Sequence, residues 1–257
     1  MEGLLKGKRI VIVGGTSGIG WAAAQAFVDH GAKVLAMGLA ADDLPEQEGL
    51  AYHFGDARLE GESQAAIVKC VDVFGGFDGL FHVAGGSGRK WGDGPLHELT
   101  LAGWQKTFDL NLTAMMLSNQ AAVRYFLANK QSGSILNIST VLAYSPSPKY
   151  FYTHAYAAAK AAVIGFSSSI AAYYAAHDIR VNVLAPALTD TPMAKRAGER
   201  ADIQKFIKTK QPLAGGRMAL PSDLTAAATY FLSDAAGFTT GQVLAVDGGW
   251  SVSEGQY

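Results

Sequence analysis

"KRIVIVGGTSGIGWAAAQAFVDHG" (residues 8–31) decides the fold. Its opening, "KRIVIVG" (8–14), is a short apolar run ending in glycine, the pattern of a strand buried on both faces. Its second half, "GIGWAAAQAFVDHG" (18–31), reads as a helix that stops at a glycine. Between them Gly14, Gly18 and Gly20 follow the spacing G-x-x-x-G-x-G. Glycine permits a tight turn and lets phosphate oxygens come close to the backbone. The helix N-terminus adds unpaired N–H groups and a partial positive charge. Strand, glycine turn and helix in that order predict a nucleotide-binding unit at the start of the chain.

The same alternation continues outward. Strands are expected at 32–38, 50–55, 77–85, 133–140, 179–186 and 242–249, and helices at 62–75, roughly 104–129, 156–177 and 222–234. Repeated strand–helix alternation implies parallel strands with helices on both faces. Right-handed crossovers then give a doubly wound, Rossmann-type α/β fold with a seven-stranded parallel sheet. No Pro/Ser-rich linker, low-complexity tract or repeat interrupts it, so residues 1–257 read as one domain. The least regular stretches, 86–100, 141–155 and 187–216, all follow predicted strands, on the edge where such sheets bind ligands.

Composition narrows the classes. The chain is 49% hydrophobic and 17% charged, which suits a compact protein rather than a disordered one. A formal charge of −1 argues against a large nucleic-acid footprint. The single cysteine, Cys70, excludes an intramolecular disulfide and reads as a buried apolar residue. The N-terminus lacks signal-peptide architecture. No apolar stretch is expected to reach the roughly 20 residues that cross a bilayer, and a cytoplasmic compartment is expected.

A second stretch carries the chemistry. "KYFYTHAYAAAK" (149–160) holds three tyrosines, and only Tyr156 has a lysine four residues on, Lys160. On a helix those positions share a face. A nearby ammonium stabilises phenolate and lowers the tyrosine pKa, which makes Tyr156 a candidate acid/base. Ser139 ends the preceding strand, and Asn111 lies inside the preceding helix, where a buried asparagine needs partners.

With the glycine turn and these four residues in order, the whole chain resembles the short-chain dehydrogenase/reductase family. The resemblance implies a catalytic set of Asn111, Ser139, Tyr156 and Lys160. Tyr156 exchanges a proton with the substrate oxygen, Ser139 orients that oxygen, Lys160 holds the nicotinamide ribose, and Asn111 positions a water. It implies cofactor contacts from Gly14, Ser17, Gly18, Ile19, Gly20, Asp56, Ala84, Gly85, Tyr156, Lys160, Pro186, Thr189 and Thr191. Asp56 would meet the adenine amino group. No metal is required, because hydride passes directly between substrate carbon and nicotinamide. The aromatics Tyr144, Tyr150, Phe151 and Tyr152 would line a substrate-side loop or pack there, and 192–215 matches the family's substrate lid. A homotetramer or homodimer packed through the two long helices is implied, with small residues Ala158, Ala161 and Ala162 permitting close approach.

The chain also departs from the family pattern. "HVAG" (82–85) replaces the usual N-N-A-G, and His82 reads as structural, bonding the sheet backbone. Ala187 replaces a glycine, which costs about 1 kcal/mol if positive φ is needed there. Val13 replaces a threonine. At the end of the second strand, where NAD enzymes place an acid, stand Gly38 and Leu39. Ser17 and Leu39 offer no cation for a 2′-phosphate and Asp42 or Asp43 can reach the ribose, so NAD(H) is favoured over NADP(H) unless Arg58 folds back. The expected function is hydride transfer between a nicotinamide cofactor and a secondary alcohol or ketone. The alternatives are a 3-oxoacyl thioester reductase using NADPH and a dinucleotide-sensing protein without turnover. Enoyl reductases of the family use a longer Tyr–Lys spacing.

Overall fold

Strand β1 (Arg9–Val13) alternates its side chains between two cores. Ile10 and Ile12 enter one with Phe27 and Phe231, while Val11 and Val13 enter the other with Phe77 and Phe126. Both faces of the sheet are therefore covered, which is why the strand reads as an uninterrupted apolar run. The computed structural model describes residues 3–41 and 43–256.

The other strands are β2 (Lys33–Gly38), β3 (Leu50–Phe54), β4 (Gly79–His82), β5 (Gly133–Ile138), β6 (Ile179–Pro186) and β7 (Val243–Val246). They form one parallel sheet in the order β3-β2-β1-β4-β5-β6-β7. The order reverses between β1 and β4, and a crevice opens beyond the strand ends at such a point.

Helices α1 (Gly18–Asp29) and α8 (Thr225–Leu232) cover one face, and α2 (Glu62–Phe74), α4 (Ala114–Ala128) and α5 (His154–Tyr174) the other. A third cluster gathers Val141, Tyr150, Phe206 and Trp250, with α6 (Lys195–Gly198) and α7 (Ala201–Lys210) supplying Ala197 and Phe206. Trp250 donates from its indole N–H to the Ser145 carbonyl at 3.1 Å. This cluster ties the 141–151 loop, α6, α7 and the C-terminal turn into one support beside the sheet.

Two expectations need correcting. The helical region at 104–129 is not one regular helix. It is α3 (Leu101–Phe108), a π-helical turn (Asp109–Thr113) and α4. The Asn111 side chain takes the Thr107 carbonyl at 2.8 Å, so one wide turn interrupts the ladder. The run 154–177 is also long and apolar enough, by length and composition, to cross a bilayer, against the expectation. Alanines and small residues give it that character, and it packs on β6 with Lys160 buried.

Candidate active site

The ends of β1, β4, β5 and β6 open into one cleft of about 910 Å³. At one end lies the glycine turn. Gly14 has φ +88° and Gly18 φ +52°, both left-handed. A Cβ on Gly14 would stand 2.6 Å from the Ala84 backbone nitrogen, so the turn after β1 nests against the turn after β4. Ser17 precedes α1 with extended backbone and no side-chain cap bond, which leaves the first N–H groups of α1 free of a side-chain cap.

Of the residues expected at the site, Gly14, Ser17, Gly18, Ile19, Asp56, Ala84, Gly85, Ser139, Tyr156, Lys160, Pro186, Thr189 and Thr191 line this cleft. Gly20 and Asn111 are not among its lining residues. Gly20 is a packing glycine: a Cβ there would lie 2.0 Å from the Gly14 carbonyl oxygen. Asn111 is fully buried behind the wall. Its amide donates to the carbonyls of Gly86 (2.9 Å) and Thr107 (2.8 Å), and its Oδ1 accepts from the Gly86 N–H at 3.0 Å. The side chain expected to position a water is thus committed to the backbone beside Gly85.

Lys160 is 2% exposed and its ammonium donates to the Ile138 carbonyl at 3.0 Å. Burial lowers its pKa to about 8. Its Nζ lies 5.9 Å from the centroid of the Tyr156 ring. Burial pushes the Tyr156 phenol up to about 12, opposite to the lowering that the spacing predicts. The ammonium reaches the Ile138 carbonyl and stands at a distance from the ring, so desolvation outweighs charge attraction. The Ser139 hydroxyl donates to the Lys160 carbonyl at 2.7 Å, linking the end of β5 to α5.

The other tyrosines separate by contact. Tyr150 is 6% exposed and packs on Phe206, with ring centroids 5.2 Å apart, so it is core. Phe151 lines the cleft and sits edge-on to Trp250. Tyr152 lies under the Arg89 guanidinium, 4.8 Å from its ring centroid. Tyr144 is half exposed and outside the cleft lining.

His82 is structural, as its isolation suggested. It is buried, its Nε2 lies 3.1 Å from the Ala84 carbonyl, and its Nδ1 lies 2.8 Å from the Ser118 hydroxyl. Burial and the Lys160 charge push it down to about 3, so it stays neutral. Ala187 is absent from the non-glycine residues with positive φ, so the missing glycine carries no strain.

Three residues escape a sequence reading. Asp93 is 4% exposed and accepts the N–H groups of Ala155 and Tyr156, both at 2.9 Å. It caps the first turn of α5 from a loop about sixty residues away, while Thr153, at the N-cap, makes no side-chain cap bond. Gln211 holds Leu188 through both its N–H and its carbonyl, at 3.1 and 3.2 Å. Thr16 lies over Gly38, where a Cβ would stand 2.2 Å from its Oγ1. No local pattern signals these partners, although the missing cap at Thr153 leaves room for one.

Gly38, Leu39, Asp56 and Arg58 line the cleft beyond the glycine turn. Arg58 pairs with its near neighbour Asp56, with Nη2–Oδ2 at 2.5 Å, and holds the carboxyl below its ordinary value. Asp43 is not a cleft-lining residue, and Asp42 lies outside the described residues.

Residues 13–251 match a family model described as enoyl-(acyl carrier protein) reductase. The chain is 36% identical over 248 residues to the cis-4-hydroxycyclohexanecarboxylate dehydrogenase of Sinomonas cyclohexanicum, covering 94% of this chain and 95% of that one. The chain belongs to the short-chain dehydrogenase/reductase family. It is 32% identical to the 3-oxoacyl-acyl-carrier-protein reductase of Chlamydia muridarum, over 97% and 99% of the two chains. A solved short-chain dehydrogenase/reductase of Mycobacterium ulcerans superposes with a TM-score of 0.87 at 30% identity, over 97% and 92%. This short-chain dehydrogenase/reductase is therefore an oxidoreductase that works on a CH–OH or C=O group with a nicotinamide cofactor.

Proposed function

We propose that the chain is a secondary-alcohol dehydrogenase, using NAD(H), whose substrate oxygen sits between Tyr156 and Ser139. The observation that carries this reading is that Tyr156, Ser139 and Lys160 line the same cleft as the glycine turn. The 36% identity to a hydroxycyclohexanecarboxylate dehydrogenase supports a compact ring alcohol as substrate.

The cleft fits a dinucleotide on its own features. The α1 N-terminus has no side-chain cap, and Lys160 has one acceptor among the described residues, leaving donors for ribose hydroxyls. When bound, the nicotinamide accepts or gives the hydride. Tyr156 moves the proton at the substrate oxygen. Ser139 donates to that oxygen once its hydroxyl turns from the Lys160 carbonyl. Lys160 binds ribose and supplies the nearby positive charge. Asn111 fixes Gly86 and thereby the floor beside Gly85. At the adenosine end Arg58 is occupied by Asp56 and Leu39 is neutral, so a 2′-phosphate finds no unpaired cation among these residues.

A 3-oxoacyl thioester reductase using NADPH is the second reading, favoured by the likeness to the Chlamydia enzyme. A panel of ring alcohols, open-chain alcohols and 3-oxoacyl thioesters, run with NAD(H) and NADP(H) and followed by nicotinamide absorbance, separates the two. Ring-alcohol oxidation with NAD+ is expected to dominate, and thioester reduction with NADPH dominating would overturn the proposal. Tyr156→Phe is expected to lower turnover at least about 100-fold while NADH binding, read by fluorescence, changes little. We further propose a homodimer or homotetramer packed through α4 and α5.

A further inference from the structure

Three segments meet at the cleft, and each brings charge or an aromatic ring. Arg89 comes from the turn Arg89–Trp91, Phe151 from the loop before α5, and Arg196 from α6. Arg89 is held in place by the Tyr150 carbonyl at 3.3 Å and by the Tyr152 ring beneath it. That contact sets it beside the N-terminus of α5, where Tyr156 lies. Lys90 lines the same cleft.

The cleft lining is poor in negative charge. Among the described lining residues the single carboxylate is Asp56, which is paired with Arg58 at the adenosine end. The other acids nearby are engaged. Asp93 caps α5, and Asp202 holds Arg200 through two bonds. Neither Arg89 nor Arg196 forms an ion pair among the described residues. The Arg196 guanidinium is held below its ordinary value by partial burial and then by repulsion from Arg89 and Arg200. Like charges gathered at a partly buried mouth repel one another, and a bound anion removes that repulsion. The lining also carries the apolar side chains of Trp91, Leu142, Phe151 and Met193, which suit a compact hydrocarbon body.

We infer that Arg89 and Arg196 form a carboxylate-binding subsite, so that the substrate is a hydroxy acid carrying its secondary alcohol on an apolar ring and its carboxylate at the opposite end. A guanidinium fork matches the two oxygens of a carboxylate, and such pairs are strong when partly desolvated. The inference rests on the proposed alcohol dehydrogenase activity for its kinetic test and is independent of it for its binding test.

The kinetic test compares 4-hydroxycyclohexanecarboxylate, its methyl ester and cyclohexanol as substrates with NAD+. The wild type is expected to favour the acid at least tenfold in kcat/KM over either neutral alcohol. Arg196→Gln and Arg89→Lys are expected to erase most of that preference through the KM of the acid. Equal use of acid and ester, or a change confined to the KM of NAD+, overturns the subsite. The second reading would assign the cations to an acyl carrier. Binding is measured separately by calorimetry, titrating cyclohexanecarboxylate into the enzyme saturated with NADH. Arg196→Gln is expected to weaken Kd at least tenfold, and an unchanged Kd overturns the subsite even if no alcohol turns over. Absence of alcohol turnover with a tenfold change in Kd retains the subsite and removes the dehydrogenase reading alone.

Discussion

Tyr156 and Lys160 hold protons in opposite ways. Burial raises the phenol to about 12 and lowers the ammonium to about 8. At neutral pH the tyrosine is therefore protonated, the state that gives a proton to a ketone oxygen. Alcohol oxidation needs the phenolate, whose fraction grows tenfold per pH unit below the pKa. Lys160 loses its charge as pH passes about 8, and with it the nearby cation that favours phenolate. Initial rates at saturating NAD+ are thus expected to climb from pH 6 and flatten near 8. Ketone reduction is expected not to rise over the same range. An oxidation profile that is flat from pH 6 to 8 would contradict the assignment of Tyr156 as the base. The spacing Tyr156–Lys160 is legible in the sequence because helical geometry fixes i and i+4 on one face. The sign of the tyrosine shift is not, because it depends on what buries the ring and where the ammonium turns.

Among the elements, α5 is the one whose start matters most. Its first N–H groups have no local side-chain cap, and Asp93 provides one from the loop that follows Arg89–Trp91. A buried carboxylate bonded to a helix N-terminus is worth about 2 kcal/mol. Asp93→Ala is expected to lower Tm by several degrees, read by calorimetry, and to reduce kcat more than it alters the KM of NAD+. A Tm unchanged by the substitution would remove the cap from the argument. The π turn at Asp109–Thr113 packs against the same helix. Asn111 spends its amide on Thr107 and Gly86, joining the α3–α4 break to the floor of the site. The asparagine itself stands out in the sequence, but a wide turn shares the apolar spacing of the helix around it and leaves no mark.

At the scale of the whole molecule, one face of α5 is exposed among the described residues at Ala161 and Gly165. Gly165 is exposed and a Cβ there meets no atom within 4 Å. Ala158, Ala161, Ala162 and Gly165 recur at helical spacing, so a second copy of the chain can approach closely there. Gly165→Trp is expected to leave the fold of the single chain intact, read by circular dichroism, since its space is open. It is expected to break the assembly, read as a lower mass in sedimentation. A wild-type monomer, or an unchanged mass for the variant, would contradict packing through this face.

The order of strands and helices, the glycine turn and the tyrosine–lysine pair came from the sequence alone. Each is a local pattern of burial or spacing, and local patterns survive in one dimension. The Asp93 cap, the Gln211 clamp on Leu188, the pairing of Arg58 with Asp56 and the unpaired Arg89 and Arg196 were decided by the tertiary structure. With the exception of the neighbouring Asp56 and Arg58, these join residues far apart in the chain. A charge is paired or unpaired only once every surrounding element is in place.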